Sequence, residues 1–169
     1  ALRINYVGEL GWELHPAMAD LPSLYGAIWA AGEAHGIADF GLYALNSLRM
    51  EKAYRGWGAE LTNEVTMLDA DMARFFGSGK EDFVGKTATE TGEAGPLRLV
   101  YFEVDAQDAD VRGGEPIFLN DTCIGVTTSG GYGYTVEKSL GFGYVPPEQS
   151  APGSIIDIGL LDARCQATV

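Results

Sequence analysis

The sequence has few of the residues that build metal and redox sites. Its 169 residues include two Cys and two His. Cys123 and Cys165 stand far apart, and neither belongs to a CxxC pair or a His/Cys cluster. This spacing excludes the common zinc and dithiol motifs. We therefore predict no metal site and expect free thiols in a reducing compartment.

Basic residues and long apolar runs are scarce as well. The 11 Lys and Arg stand against 24 Asp and Glu, a formal net charge of -13, which repels nucleic acid and anionic lipid. No run approaches the roughly 18 apolar residues of a membrane span. We expect a soluble protein with no nucleic-acid or membrane partner, in the cytoplasm or, in a eukaryote, the mitochondrial matrix. A small anionic ligand held by one or two arginines stays compatible with this charge.

The beginning of the chain has neither an initiator Met nor a signal-peptide pattern. It enters strand-like sequence almost at once, so we expect a piece of something longer. The composition, 46% hydrophobic and 11% aromatic, is typical of a folded protein.

Residues 6–14 (YVGELGWEL) have the period-2 spacing of a strand. The apolar side chains at this spacing are Tyr6, Leu10, Trp12 and Leu14. Gly8 and Gly11 interrupt it, which predicts a strand, a tight turn and a second strand. Among these residues a carboxylate, Glu9 or Glu13, is either a solvated turn residue or the acceptor for N–H groups of a ligand.

Two helices are expected next. Asp20 is a candidate cap for the first, which ends at Gly36. The second is predicted over residues 41–54, and within it Arg49 and Glu51 are two apart, so they point to different faces. Arg49 must therefore find its partner elsewhere.

The segment after the second helix contains no catalytic motif. Residues 54–60 (YRGWGAE) predict a loop that either lines a pocket or wraps a helix end. Residues 77–80 (GSGK) fail the phosphate-loop pattern, and Ser129 has no hydrolase context. His15 and His35 have no partner at catalytic or ligand spacing, so we predict no catalytic residue.

The second half of the chain is predicted to form a barrel. Linker composition at residues 89–96 places a boundary between a domain over 1–88 and another over 97–169. Five or six short strands in about 70 residues suit a small closed or nearly closed barrel. Its glycines are expected at corner turns, namely Gly125, Gly130, Gly131, Gly133, Gly141 and Gly143.

Five ordered blocks resemble the later half of the aminomethyltransferase family typified by the glycine cleavage T-protein. They are residues 6–14 (YVGELGWEL), 47–51 (SLRME), 57–61 (WGAEL), 124–130 (IGVTTSG) and 140–145 (LGFGYV). Residues 44–58 are most similar to the folate-binding carboxy-terminal part of the dimethylglycine and sarcosine dehydrogenases. The resemblance implies an α+β fold: the C-terminal part of the folate-binding domain, then a small antiparallel β-barrel.

The resemblance also implies a tetrahydrofolate ligand, which in this family accepts a one-carbon unit in a central channel. Tyr6 and Glu13 match the residues that position the folate, with the Glu13 carboxylate accepting N–H groups of the pterin ring. Trp57 is a candidate for stacking on the folate, and Arg74 for meeting its glutamate tail. The family's catalytic Asp would lie upstream of residue 1, as would any flavin domain with its FAD.

One site departs from the family pattern. Leu45 stands where the glycine cleavage enzymes have an Arg, and Asn46 where they have an Asp. The departure removes an arginine available to the folate carboxylate and favours the dehydrogenase branch. Arg49 and Glu51 match the family's SLRxE block and are expected to join the helix to the hairpin through a buried network.

Two functions follow from the resemblance. The chain is expected to be part of a tetrahydrofolate-dependent enzyme that transfers a one-carbon unit from a methylated amine, completed by the upstream half of the same polypeptide. The alternative is a non-catalytic folate-domain relic that acts as a scaffold or regulatory module. An exposed strand edge would also allow a homo-oligomer.

Overall fold

The structure is a computed structural model that describes residues 1–77, 79–92 and 95–169. The helices are α1 (Leu21–Gly32), α2 (Leu42–Glu51) and α3 (Lys86–Thr91), and short 3-10 helices occur at Met18–Asp20, Glu33–His35, Ala73–Phe75 and Pro147–Gln149. The strands are β1 (Arg98–Val104), β2 (Pro116–Leu119), β3 (Thr122–Gly133), β4 (Lys138–Val145), β5 (Ile155–Leu160) and β6 (Ala163–Thr168). In the described ranges no helix has the length and apolar character needed to cross a bilayer.

The six strands form a closed barrel in the order β1-β4-β3-β2-β5-β6, with antiparallel pairing throughout. This confirms the predicted barrel and the α+β fold class. Alternate residues of β5 point inward, and Ile156, Ile158 and Leu160 are buried, as the period of a strand requires. They pack with Phe102 and Ile117 in the barrel core.

The six glycines of β3 and β4 lie within the strands, so the prediction that they form corner turns is wrong. A Cβ atom on Gly141 would lie 2.5 Å from a ring carbon of Phe102, and one on Gly143 would lie 2.5 Å from Cδ1 of Ile117. A small barrel has little interior volume. Glycine on one strand therefore makes room for a large side chain on another.

Helix α2 packs on the part of β3 that extends beyond β2. Strand β3 has 12 residues and β2 has four, so the far end of β3 lacks this neighbour. There Asn46 Nδ2 donates to Gly130 O at 3.0 Å, and Ser47 Oγ donates to Tyr132 O at 2.6 Å. The helix thereby covers a strand edge that would otherwise be open to pairing.

The helix boundaries follow the predictions with small differences. Helix α1 begins after Asp20, whose side chain makes no capping hydrogen bond, and Gly36 adopts a left-handed φ of 72° after the last turn. Helix α2 ends at Glu51, earlier than the predicted residue 54.

The predicted linker at residues 89–96 is helical at its start, because α3 extends to Thr91. Residues 93 and 94 of this linker, and Ser78 of residues 77–80, lie outside the described residues. The division into domains at 89–96 stays a prediction.

Residues 6–14 do not form the predicted strand, turn and strand. Leu2 and Glu13 exchange two backbone hydrogen bonds of 2.8 and 2.9 Å, and residues 6–10 form bends. Gly8 has a φ of 80° and donates its N–H to Asn5 Oδ1 at 2.8 Å. An isolated hairpin is marginally stable unless a further strand or helix covers one face. Here Leu10 is 72% exposed, which shows that this face is uncovered.

The first 43 residues carry an exposed apolar surface, which we call the N-terminal apolar surface. Helix α1 buries none of its residues, and its main contacts are with the 3-10 helices that flank it. The large exposed side chains are Leu2, Ile4, Tyr6, Leu10, Trp12, Leu14, Met18, Leu21, Tyr25, Ile28, Phe40, Leu42 and Tyr43. Exposed apolar side chains in this number favour an interaction site on this part of the chain.

Candidate functional site

A pocket of about 180 Å³ lies between Tyr6, the segment that follows α2 and the 3-10 helix at Ala73–Phe75. Its lining consists of Tyr6, Ala53, Tyr54, Arg55, Leu61, Met72, Arg74 and Phe75. Aromatic rings beside guanidinium groups suit a ligand that is planar and anionic. The volume is below the roughly 300–1,000 Å³ of sites that enclose a drug-sized ligand. The pocket could therefore hold one part of such a ligand.

The turn at the end of α2 forms one wall of this pocket. Tyr54 N–H donates to Arg49 O at 3.0 Å and Ala53 N–H donates to Met50 O at 2.9 Å, which is the Schellman pattern of a helix C-terminus. Ala53 holds the left-handed position with a φ of 52°, where glycine is usual. The turn directs Tyr54 and Arg55 into the pocket lining.

Arg55 ties this wall to the opposite one. Its guanidinium donates to the carbonyls of Ala53 and Ala70 at 3.0 and 3.3 Å, and to Asp71 Oδ2 at 2.7 Å. It also lies 5.6 Å from the ring centroid of Phe142 on the barrel. Because these partners already occupy its guanidinium, Arg55 is a structural cation of the pocket.

Arg74 is the cation that a ligand could engage. Its guanidinium carbon lies 4.9 Å from the ring centroid of Phe75, and Arg74 is exposed to solvent. Within the part of the chain that the structure describes, no carboxylate lies at ion-pairing distance from Arg74. An anionic ligand group would therefore meet this charge without displacing a protein partner.

Tyr6 lies beside Tyr54, with ring centroids 6.4 Å apart and planes tilted by 30°. Burial raises the pKa of Tyr6, and of the two nearby charges Arg49 lowers it while Glu60 raises it. The net shift is upward, so the Tyr6 phenol is neutral and able to donate a hydrogen bond at physiological pH.

A buried ion pair lies directly behind the pocket. Arg49 Nη1 is 3.3 Å from Glu60 Oε2, and their side chains are 5% and 0% exposed. Arg49 also donates to Asn46 Oδ1 at 2.8 Å and to Tyr54 O at 2.9 Å. This is the partner that the sequence required for Arg49. The predicted network with Glu51 is wrong, because Glu51 instead accepts the N–H of Thr135 at 2.7 Å.

Three hydroxyl groups of the barrel reach Glu60. Thr128 Oγ1 and Ser129 Oγ donate to Oε1 at 2.6 and 2.5 Å, and Tyr144 Oη donates to the Glu60 carbonyl at 2.8 Å. Burial, ahead of the charges of Asp69 and Glu60, raises the pKa of Tyr144 to about 12. Tyr144 is therefore protonated and able to donate at physiological pH.

The structure brings together two of the four residues predicted to bind folate. Tyr6 and Arg74 line the same pocket. Trp57 and Glu13 do not line it: Trp57 is 82% exposed, and the side chain of Glu13 is 46% exposed, 3.2 Å from His15 Nε2. The roles of all four stay predictions.

Sequence reasoning missed the contacts between Glu60 and the barrel hydroxyls. Residues 54–60 were expected to line a pocket or to wrap a helix end, and Tyr54 and Arg55 do line one. The signal for Glu60 was its place in the WGAEL block. Nothing local in the sequence connects it to Ser129, since the two residues are 69 positions apart.

Larger concavities are less suited to an anion. One of about 580 Å³ at the barrel rim contains three carboxylates, Glu103, Asp105 and Glu137, against one cation, Lys138, so its net charge would repel an anion. Another of about 440 Å³ between α2 and β3 contains Arg112 together with Asp110, so its charges oppose each other. The pocket beside Tyr6 and Arg74 is the better candidate.

Comparisons with known proteins agree with this fold. The family model described as GCVT N-terminal domain matches residues 1–80, and the model described as Glycine cleavage T-protein C-terminal barrel domain matches residues 98–169. In the crystal structure of glycine cleavage system aminomethyltransferase T from Bartonella henselae, the similar region has a TM-score of 0.87 and 25% identity. It covers 99% of this chain and 47% of that one.

Two mouse enzymes are similar in sequence. Mitochondrial dimethylglycine dehydrogenase of Mus musculus is 43% identical over 172 residues, 100% of this chain and 20% of that protein. Mitochondrial sarcosine dehydrogenase of Mus musculus is 36% identical over 159 residues, 92% of this chain and 17% of that protein. The chain thus spans a fifth or less of the length of these relatives.

Proposed function

We propose, from the fact that this chain belongs to the glycine cleavage T-protein (aminomethyltransferase) family, that it forms part of a tetrahydrofolate site. The five sequence blocks predicted this membership, and the family matches confirm it. We further propose that the chain belongs to the folate-dependent part of an enzyme that oxidises a methylated amine such as dimethylglycine or sarcosine, and that any FAD is bound by another part of that enzyme.

The observation that carries the proposal is the pairing of aromatic rings with an available cation in one pocket. Tyr6 and Tyr54 offer ring faces to an aromatic ligand, and Arg74 offers a guanidinium to a carboxylate. A folate has both groups, a flat heterocycle and a glutamate tail. Glu13 is a proposed acceptor for pterin N–H groups. Its side chain is half exposed, so it can accept these hydrogen bonds without the cost of burying an unpaired charge.

Bound tetrahydrofolate would supply a nitrogen that accepts a one-carbon unit. The residues of this chain would hold that ligand in register, since orientation and exclusion of water are the main contributions of a protein to such a transfer. Neutral Tyr6 would donate a hydrogen bond, and Arg74 would fix the anionic end. We assign no acid or base for the transfer to this chain.

The rest of the site is proposed to come from the preceding part of the same polypeptide. The N-terminal apolar surface supports this, because α1 and residues 1–14 bury little against the remainder of the chain. A segment laid on this surface would bury the exposed face of α1 and add ladder pairs to residues 6–14 beyond the single Leu2–Glu13 pair. It would also enlarge a pocket that is too small for a whole folate.

The test is a calorimetric titration of the full-length polypeptide with folinic acid. Glu13→Ala is expected to weaken binding about tenfold, roughly 1.4 kcal/mol, with little change in melting temperature. Glu9→Ala is the matched control, since Glu9 is an exposed carboxylate in the same segment, and it should bind like the parent.

Two outcomes count against the proposal. Equal binding by the Glu13→Ala variant and the parent would remove Glu13 from the site. Absence of any folinic acid binding by the full-length polypeptide would favour the non-catalytic scaffold or regulatory module instead.

A further inference from the structure

Strand β3 contains a bulge at the point where the barrel meets the pocket loop. Thr127 pairs with Gly143 and Ser129 pairs with Phe142, so Thr128 is one residue more than β4 can match. In a regular strand, consecutive side chains point to opposite faces. The bulge removes this alternation, and Thr128 and Ser129 both donate to the same oxygen, Oε1 of Glu60.

Ser129 also connects the two members of the buried ion pair. Arg49 Nη2 donates to Ser129 Oγ at 2.9 Å, while Ser129 Oγ donates to Glu60 at 2.5 Å. A hydroxyl has one hydrogen to donate and two lone pairs that accept. The Ser129 hydroxyl can therefore accept from Arg49 and donate to Glu60 at the same time.

The other oxygen of Glu60 holds the pocket loop. Oε2 accepts the N–H of Gly56 at 2.6 Å as well as Arg49. The carbonyl of Gly56 in turn accepts the N–H groups of Glu60 and Leu61 at 3.1 Å. The loop that carries Tyr54, Arg55 and Leu61 to the pocket is thus closed around one carboxylate.

Gly56 of the pocket loop also lies close to Tyr6. A Cβ atom added to Gly56 would lie 3.2 Å from Tyr6 Oη and 3.2 Å from Glu60 Oε2, so the phenol and the carboxylate both lie close to Gly56, on the side where a side chain would project. None of Arg49, Glu60 and Ser129 lines the pocket. Any effect of the barrel hydroxyls on a ligand would therefore pass through the loop.

We infer that Ser129 and Thr128 of the barrel are positioning residues for the pocket, acting through Glu60 to hold residues 54–61 in their binding geometry. The barrel then does more than support the preceding half, since a bulge in one of its strands sets the shape of the site. The part of this inference that concerns a folate rests on the proposed function. The part that concerns the loop does not.

The experiment compares two serines in the full-length polypeptide. Ser129 and Ser139 are both buried, at 7% and 4% exposure, on neighbouring strands, and each donates to a carboxylate. The acceptor of Ser139 is Asp110, at 2.8 Å, away from the pocket. Ser139→Ala is therefore the matched control for Ser129→Ala.

Hydrogen exchange gives the readout that is independent of any ligand. Ser129→Ala is expected to speed amide exchange in residues 54–61 about tenfold, whereas Ser139→Ala leaves this segment unchanged. Calorimetry with folinic acid gives the second readout, where Ser129→Ala should weaken binding about fivefold and Ser139→Ala should not. If amide exchange in residues 54–61 of the Ser129→Ala variant equals that of the parent, the inference is overturned.

Thr128 provides a second pair of variants in case Ser129→Ala does not fold. Thr128→Val removes the hydroxyl and keeps the shape, while Thr128→Ser keeps the hydroxyl, so only the valine variant should loosen the loop. Equal exchange in both variants would count against positioning by the hydroxyl. A third outcome separates the two proposals. If amide exchange in residues 54–61 is faster in Ser129→Ala or Thr128→Val but the parent does not bind folinic acid, the proposed function is overturned and the inference about the loop stands.

Discussion

Arg49 and Glu60 form an ion pair of 3.3 Å in which neither side chain is more than 5% exposed. Such a pair loses much hydration free energy on burial, so its stability depends on further hydrogen bonds to both groups. Here α2, the pocket loop and β3 all provide them. The pair is thereby one of the points at which the first half of the chain is joined to the barrel.

The first prediction concerns removal of one charge of this pair. Arg49→Met should lower the free energy of unfolding by about 3–5 kcal/mol, because it leaves the Glu60 carboxylate buried without its cation. Lys138→Met is the control, since Lys138 lies at the same 3.3 Å from Glu103 but both side chains are more than half exposed. Its loss should stay below about 1 kcal/mol. Urea denaturation measures both, and equal losses would show that burial does not matter here.

The second prediction concerns acid and Asp69. Burial raises the pKa of Asp69, but hydrogen bonds from Thr66 and Gly95 and the charge of Arg98 outweigh it, so the pKa lies below its ordinary value. A carboxyl group with a lowered pKa stabilises the fold above its unfolded pKa, about 3.9. It loses this contribution as pH falls through the folded pKa.

The stability difference between the parent and Asp69→Asn should therefore be largest at neutral pH and shrink as pH falls below about 3.9. Urea denaturation at a series of pH values measures it. Asp121→Asn, in which a fully exposed carboxylate is changed, should show little difference at any pH. A gap between Asp69→Asn and the parent that stays constant down to strong acid would contradict this account.

The third prediction concerns the glycines inside the barrel. Gly141→Ala should destabilise the fold by about 1–3 kcal/mol, because the new Cβ would lie 2.5 Å from the Phe102 ring. Gly26→Ala is the control, since Gly26 is helical with no atom within 4 Å of the added Cβ. It should be neutral or stabilise by up to about 1 kcal/mol. Thermal unfolding of both variants checks the sign of each effect.

The fourth prediction concerns Arg74, the exposed cation of the pocket. Arg74→Gln in the full-length polypeptide should weaken folinic acid binding about fivefold, roughly 1 kcal/mol, and the loss should diminish as salt is raised because the contact is exposed. Arg112→Gln, which changes an exposed arginine of another cavity, should leave binding unchanged. Equal effects of the two substitutions would indicate a general charge effect and no specific contact.

Some of the strands predicted from the sequence are present in the structure and others are not. The strands Ile155–Leu160 and Arg98–Val104 were visible because alternation of apolar residues is a local signal. The same alternation over residues 6–14 failed, because a strand also needs a neighbour, and the described part of the chain supplies one backbone pair there. The glycines of β3 and β4 failed for a related reason, since the neighbour that each accommodates lies on another strand.

The candidate site was predicted in part. Tyr6 and Arg74 were named through the family resemblance and line one pocket. The buried contact between Arg49 and Ser129 joins residues 80 positions apart, and no spacing rule connects them. Only the requirement that Arg49 find a partner was visible from the chain.

By itself the sequence determined the barrel strands, the two longer helices and the family, because these depend on periodicity and on short ordered blocks. The tertiary structure alone decided which side chains meet: the bulge that turns two hydroxyls to one carboxylate, the pocket in front of it and the apolar surface left open. The physical reason is that burial and hydrogen bonding between distant residues depend on how the elements pack, and packing is a property of the whole fold.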